Sequence, residues 1–189
     1  MITGNLEYVI CSLPNLSFQD KDEERSRVFS ILKKYAGPSE VEKSIIFILE
    51  EEASKFLSLK AFRIYQQIDL KNIHSEAFQK SKNTVLAAFS TYIFSLKTDV
   101  QQMRISRKNG VDSSTTKKPL LPLVPGTPME EEIQLLKWQW KKLEELSVGH
   151  YADFGALCLY KLKLLILLRL WSFDQKRGFD NFLNITKKD

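Results

Sequence analysis

The side chains that most often carry out chemistry are few in this sequence and far apart. There are two histidines, His74 and His150, and two cysteines, Cys11 and Cys158. Neither histidine has a second histidine or cysteine at the short spacing that zinc ligands show. Cys158 sits in a strongly apolar run, where burial disfavours the reactive thiolate. These spacings predict no metal site and no nucleophilic thiol.

Patterns that would bind phosphate or supply acid–base pairs are also absent from the sequence. The seven glycines are scattered, and none forms a GxxxxGK or GxGxxG loop. The acidic pairs 130–131 and 144–145 fall on amphipathic patterns, where solvation or the helix dipole explains them. The acidic triplet 50–52 is interpreted as a solvated helix face. We therefore expect no catalytic residues, no cofactor and no enzymatic activity of the chain's own.

The strongest charge cluster is basic and lies between residues 97 and 118. It could bind an acidic protein surface or, as the alternative, nucleic-acid phosphates. No helix-turn-helix signature and no interleaved aromatic residues accompany the cations, so nucleic acid is not the expected partner. The candidate partner-binding residues are Arg104, Arg107, Lys108, Lys117 and Lys118.

Composition bounds the class of protein. The 189 residues are 43% hydrophobic and 27% charged, with a net charge of +5, and they include only seven glycines and six prolines. This length is typical of one domain, and low glycine and proline content favours helices. Two isolated cysteines indicate a reducing compartment, and the N-terminus lacks the basic start of a signal peptide. The predicted location is cytoplasmic.

The stretch Tyr151–Phe173 is the most apolar part of the chain and predicts its central helix. A membrane-spanning helix needs about 20 predominantly apolar residues. Here Lys161, Lys163 and Arg169 interrupt the run, and each cation near a bilayer centre costs about 2.5–3.5 kcal/mol. The stretch is therefore interpreted as a buried core helix. Its cations are expected to lay their stems on apolar surface and keep their charged ends in water.

Apolar residues repeating at every third and fourth position predict further helices around this core. The fold is predicted to be all-α, an elongated helical bundle. Residues 6–13 could be a short N-terminal strand or the first turns of a helix. The predicted helices cover residues 22–35, 39–67 with a break near Ser58, 76–107, 128–146, and a short final one from Asp174.

Three regions follow from these elements, within one domain overall. Residues 1–107 form an N-terminal helical region, and residues 129–189 form a C-terminal region packed on the core helix at 151–173. Residues 108–128 form a linker or docked loop, because NGVDSSTTKKP is rich in turn residues and LLPLVPGTP contains three prolines. Thr127, Pro128 and Glu130 then give the pattern of a helix start.

Two stretches carry a resemblance to a known family. One is LLKWQW at 135–140, followed by His150, Tyr151 and Phe154 and by YKLKL at 160–164; the other is YVICSLPNLSF at 8–18. Together they resemble a bacterial family of small uncharacterised proteins found with V-type (A/V-type) ATPases. The resemblance covers the N-terminus and residues 130–182, whereas residues 37–127 are not matched.

The resemblance implies a role in a rotary complex. Members of the family are thought to take the place of the central-stalk component that joins the rotor axle to the membrane ring. The implied partners are the other V-type ATPase subunits. The implied location is cytoplasmic and peripheral at the inner membrane, with membrane contact only indirect. The alternative is a basic helical adaptor or a nucleic-acid-binding protein.

Overall fold

The computed structural model describes residues 6–35, 44–109 and 123–173, and all regular structure within these ranges is helical. The all-α prediction is confirmed. The N-terminal segment that could have been a strand is a helix. The elements are α1 (Leu6–Ser12), α2 (Asp22–Lys33), α3 (Ile45–Ser54), α4 (Leu59–Gln67), α5 (Glu76–Gln79), α6 (Thr84–Asn109), α7 (Pro128–Leu146) and α8 (Phe154–Leu170).

Polar side chains define where several helices begin. Ser58 accepts a hydrogen bond from the N–H of Ala61 at the start of α4, which confirms the predicted break near Ser58. At the start of α7, Thr127 and Glu130 form a reciprocal capping box, as predicted. Such caps satisfy backbone N–H groups that have no partner within the helix. The start of the helix predicted over 39–67 lies outside the described residues, which resume at residue 44.

The single long helix predicted over 76–107 is wrong, because the chain breaks between α5 and α6. The hydroxyl of Ser81 accepts the N–H of Asn83, and the amide oxygen of Asn83 accepts the N–H of Leu86. Short polar side chains of this kind compete with a continuous helix and cap a new one. Helix α6 therefore starts at Thr84 with its own cap and runs to Asn109.

Helix α8 lies at the centre of the fold, as the sequence predicts. Leu157, Leu162 and Leu164 are completely buried, and α8 contacts α1, α3, α6 and α7. Helix α7 packs directly against α8. The predicted final helix from Asp174 lies outside the described residues. None of the described helices is long and apolar enough to cross a membrane.

Lys161 contradicts the expectation that the cations of the core helix end in water. It is 1% exposed, and its Nζ donates to Glu50 Oε1 at 2.6 Å and to the backbone oxygen of Tyr65 at 2.6 Å. A third, longer bond runs to the backbone oxygen of Gln66. These oxygens come from α3 and from the last turn of α4, where helix carbonyls attract a cation. The interpretation of Glu50 as part of a solvated face is therefore also wrong.

The other two cations of α8 lie at the margin of the core. Lys163 is half-buried, and its Nζ lies 5.4 Å from the centre of the Trp140 ring. Arg169 is exposed, and its Nε donates to Glu132 Oε1 at 3.3 Å. Burial lowers the pKa of Lys163 and of Lys161, and in Lys161 the hydrogen bond and charge of Glu50 act in the opposite direction. Lys163 and Arg169 thus both contact α7, whereas Lys161 contacts α3 and α4.

The buried pair predicts non-additive effects on stability. Glu50→Leu should cost about 3–5 kcal/mol of unfolding free energy, because it leaves the Lys161 ammonium buried without its carboxylate. Adding Lys161→Met should recover part of this loss, since no unpaired charge then remains. Urea unfolding of the two single variants and the double variant measures the coupling. Lys163→Met serves as the control, and losses that simply add would contradict the pairing.

Alkaline pH should destabilise the fold through Cys158. Burial raises the pKa of its thiol well above the usual value, which is about 8.5. Above that pH the unfolded chain releases the proton and the folded chain keeps it, so stability falls by about 1.4 kcal/mol per pH unit. Cys158→Ala should flatten this slope between about pH 9 and 10.5, because there the thiol is mostly ionised in the unfolded chain but still protonated in the folded one.

A cavity variant separates titration from packing in that experiment. Leu157→Ala, next to Cys158 and equally buried, removes side-chain volume but no titratable group. It should lower stability at every pH while leaving the slope as in the parent chain. Lys161 contributes a slope of opposite sign, but it is present in every protein compared. Equal slopes in the Cys158→Ala variant and the parent would refute the assignment.

Candidate functional site

A long open groove lies between α6, α7, α8 and the turn after α4. Its volume is about 910 Å³. Helix α6 supplies one wall through residues spaced three or four apart, so a single face of that helix follows the groove. The α6 residues are Ile93, Leu96, Lys97, Val100, Gln101, Arg104, Ile105 and Lys108, and the opposite wall comprises Glu132, Leu135, Leu136 and Gln139 of α7 with Leu165 and Arg169 of α8.

The floor of the groove is apolar. Leu96, Val100 and Leu136 are buried, while Leu135 and Leu165 are half-buried and reachable from the groove. Ile105 lies at one end with 51% of its surface exposed. Exposed or half-exposed aliphatic side chains that converge in a concave surface are typical of ligand and protein-binding sites.

The rim of the groove is mainly cationic. Two carboxylates, Asp69 and Glu132, also line it. The cationic residues are exposed side chains from the turn after α4, from α6 and from α8. They are Lys71, Lys97, Arg104, Lys108 and Arg169. An apolar floor with a cationic rim is complementary to an amphipathic, acidic partner.

An ion-pair cluster holds the two walls together. Glu131 of α7 is almost buried, and its carboxylate accepts from Arg107 at 2.5 Å and lies 3.9 Å from Arg104. At the other end, Lys142 of α7 lies 5.8 Å from the ring centre of Tyr92 of α6. The two helices therefore run antiparallel, with a charged clamp at one end.

The candidate partner-binding residues have different positions. Arg107 pairs with Glu131 of the same chain, and Arg104 both approaches Glu131 and lines the groove. Lys108 lines the groove. Lys117 and Lys118 lie outside the described residues. The predicted cluster thus corresponds in part to the rim of the groove and in part to the clamp between its walls.

The end of the predicted linker is docked on α7. Leu123 is buried, and the side-chain amide of Gln134 bonds to both the N–H and the backbone oxygen of Val124. This pairing copies the hydrogen bonds of a neighbouring strand. Val124, near the end of the predicted linker, is thus hydrogen-bonded to α7.

Each histidine contacts a charged side chain. His74 lies 3.0 Å from Lys97 Nζ, and His150 Nδ1 lies 2.6 Å from Asp153 Oδ2. Asp153 caps α8 through the N–H of Ala156. Burial raises the pKa of Asp153, but these hydrogen bonds outweigh it and hold the pKa below its usual value. Among the residues that the structure describes, no cluster of three metal-binding side chains occurs.

Comparisons with known proteins found no match to this chain among protein-family models, curated proteins or solved structures.

Sequence reasoning missed most of the groove. The basic cluster that begins at residue 97 was located, but not the apolar and polar residues Ile93, Gln101 and Ile105 that share its face of α6. The signal was present as a three-and-four spacing that includes both apolar and cationic residues. The contribution of Leu165 had no such signal, because α8 is apolar on nearly every side.

The clamp predicts a loss of stability that depends on charge. Glu131→Gln keeps the shape of the side chain but removes the charge that Arg104 and Arg107 contact. We expect a loss of about 1–2 kcal/mol, because both arginines are partly exposed to water, which screens the interaction. Urea unfolding at low and high salt measures this loss, which should shrink with added salt.

Glu132→Gln is the matched control for the clamp. It lies one residue further along α7 and contacts Arg169, at 3.3 Å and with greater exposure. It should change stability less than Glu131→Gln, while altering the helix-dipole interaction similarly. A larger effect at Glu132 would show that the clamp is not what joins α6 to α7.

Proposed function

We propose that this protein is a non-catalytic subunit of a V-type ATPase, at the central stalk between the rotor axle and the membrane ring. The observation that carries a protein-binding role is the groove, which combines an apolar floor with a cationic rim. The assignment to a V-type ATPase comes from the resemblance at residues 8–18 and 130–182. Under this proposal the protein is cytoplasmic and peripheral at the inner membrane, held there through its partner subunits.

The two stretches that carry the resemblance pack against each other. The Tyr160 hydroxyl donates to the backbone oxygen of Pro14 at 3.1 Å, and the rings of Phe18 and Trp140 have centres 5.7 Å apart. The partners in each contact are more than 100 positions apart in sequence. Their contact supports interpreting both stretches as parts of one packing unit, as a shared family fold requires.

A coupling subunit also needs a stiff body, and the core is suited to this. Completely buried leucines of α8 fill the centre of the fold, as in a close-packed interior of low compressibility. An element that deformed easily would store twist and fail to pass it to its neighbour. The fold is therefore compatible with a mechanical role that uses no active site.

The alternative of a basic nucleic-acid-binding adaptor has less support. Nucleic-acid binding depends largely on cations that contact phosphates. Two of the predicted cations, Arg104 and Arg107, contact Glu131. The groove also has an apolar floor, which suits a folded protein segment better than a phosphate backbone.

Affinity purification tests the proposed function. A tagged full-length chain, expressed at its natural level, should co-purify with the catalytic and axle subunits of the ATPase after mild detergent extraction of membranes. Deletion of the gene should leave ATP hydrolysis in the complex poorly coupled to ion transport. An untagged strain controls for adhesion to the resin. If the tagged chain purifies without any ATPase subunit, the proposal is wrong.

Salt dependence tests the alternative in the same preparation. If the protein binds nucleic acid through phosphates, its affinity for a labelled duplex or single strand should fall steeply between about 50 and 200 mM salt, by orders of magnitude for several contacts (about 10³-fold for six). Under the ATPase proposal we expect no binding at low salt. Tight, strongly salt-dependent binding would favour the adaptor instead.

A further inference from the structure

We infer that the groove along α6 binds one amphipathic, acidic helix of about four turns, supplied by a partner protein. This inference rests on the proposed function only for the partner's identity as an ATPase subunit. The length, shape and charge of the groove are the basis for the proposed properties of the bound helix.

The length of the groove sets the length of the helix. Its α6 wall extends from Ile93 to Lys108, which corresponds to about 22 Å at 1.5 Å per residue. A partner helix of about 15 residues, or four turns, has the same length. A shorter segment would leave part of the apolar floor in water.

The shape of the groove favours a helix over an extended strand. All of the regular elements along its walls are helices, and α6 presents a face with residues three and four apart. Side chains with this spacing form ridges, and the grooves between these ridges accept the ridges of another helix. An added strand would need an exposed sheet edge, and no sheet occurs in the ranges 6–35, 44–109 and 123–173.

The charges of the rim specify acidic flanks on the helix. Lys97 and Lys108 both face the groove from α6 and are 11 residues apart, or about three helical turns. Lys71 and Arg169 lie on the other side, where Asp69 and Glu132 offset part of the positive charge of the rim. A helix with a leucine-type stripe and carboxylates on its flanks would bury apolar surface on the floor and pair with these cations.

Other occupants fit the same charges less well. Segments 110–122 and 174–189 of this chain each carry more cations than carboxylates. A second copy that met the first groove to groove would set cationic rims against each other, since a two-fold contact uses the same patch twice. An anionic bilayer matches the charge, but its flat surface does not reach the floor of a concave groove.

Peptide binding to the full-length chain tests the inference directly. The probe is a fluorescein-labelled helical peptide of about 15 residues, with leucine at every third and fourth position, glutamate on both flanks and alanine elsewhere. A matched peptide carries lysine in place of each glutamate. Fluorescence anisotropy should show saturable binding of the acidic peptide. The lysine peptide should bind at least about tenfold more weakly, because like charges at the rim repel it.

Charge reversal in the groove locates the binding. Lys97→Glu/Lys108→Glu should weaken binding of the acidic peptide at least about fivefold, with a smaller dependence on salt. Lys137→Glu/Lys141→Glu makes the same change of charge at exposed positions of α7 that do not line the groove, and it should leave affinity unchanged. Lys97→Gln/Lys108→Gln should give an intermediate loss of peptide affinity. It replaces the charge-reversed variant in this test if that variant folds poorly.

A photo-crosslinking residue at Ile105 identifies what covers the groove. In the full-length chain it should link to the acidic peptide. In the purified ATPase it should link to an acidic helix of a known subunit. Links to segments 110–122 or 174–189, or to a second copy, would overturn the inference. Equal binding of both peptides, or binding to anionic phosphatidylserine vesicles that outcompetes the peptide, would also overturn it.

The two proposals can fail separately. If the parent chain co-purifies with the ATPase and the Lys97→Glu/Lys108→Glu variant assembles equally well, the proposed function is retained. The groove is then rejected as the contact with the complex. Tight binding of the acidic peptide without any ATPase association would retain the groove as a helix-binding surface and reject the proposed function.

Discussion

The buried ammonium of Lys161 is the interaction on which the arrangement of the N-terminal half depends. A charge in an apolar core is tolerated only when its hydrogen bonds are nearly all satisfied. Glu50 supplies the counter-charge from α3, and the last turn of α4 supplies the carbonyls of Tyr65 and Gln66. Displacing α3 would remove the counter-charge, and displacing α4 would remove the carbonyl acceptors. The pair therefore fixes where α3 and α4 meet α8, in a way that leucine packing alone would not.

The same central helix also contributes to the groove. While Lys161 of α8 contacts α3 and α4, Leu165 and Arg169 of α8 line the groove beside α7. The walls are then fixed by Glu131, which joins α7 to α6 through Arg107. Polar contacts between helices thus help to set the position of each wall, and the half-buried part of the apolar floor between them remains accessible. A groove whose walls are fixed in this way is preformed, so a segment that bound there would not have to order it first.

Local signals in the sequence were enough to predict most of the helices. These signals lie within single stretches of the chain. They are the capping box at Thr127 and Glu130, the break near Ser58 and the long apolar run of α8. The break before α6 was missed because its apolar stripe continues across Asn83, while the competing hydrogen bonds of Ser81 and Asn83 are short in range and individually common. The basic cluster was located, but its division between the clamp and the rim of the groove was not.

The sequence by itself determined an all-helical chain with an apolar core helix and a cationic region near the end of α6. Only the tertiary structure decided which charges contact one another. Lys161 and Glu50 are 111 residues apart, and Arg107 and Glu131 are 24 apart. Helix periodicity and capping depend on residues that are close together in the chain, so they can be recognised in a single sequence. Ion pairs and grooves arise where distant helices meet, and their positions depend on how the whole core packs.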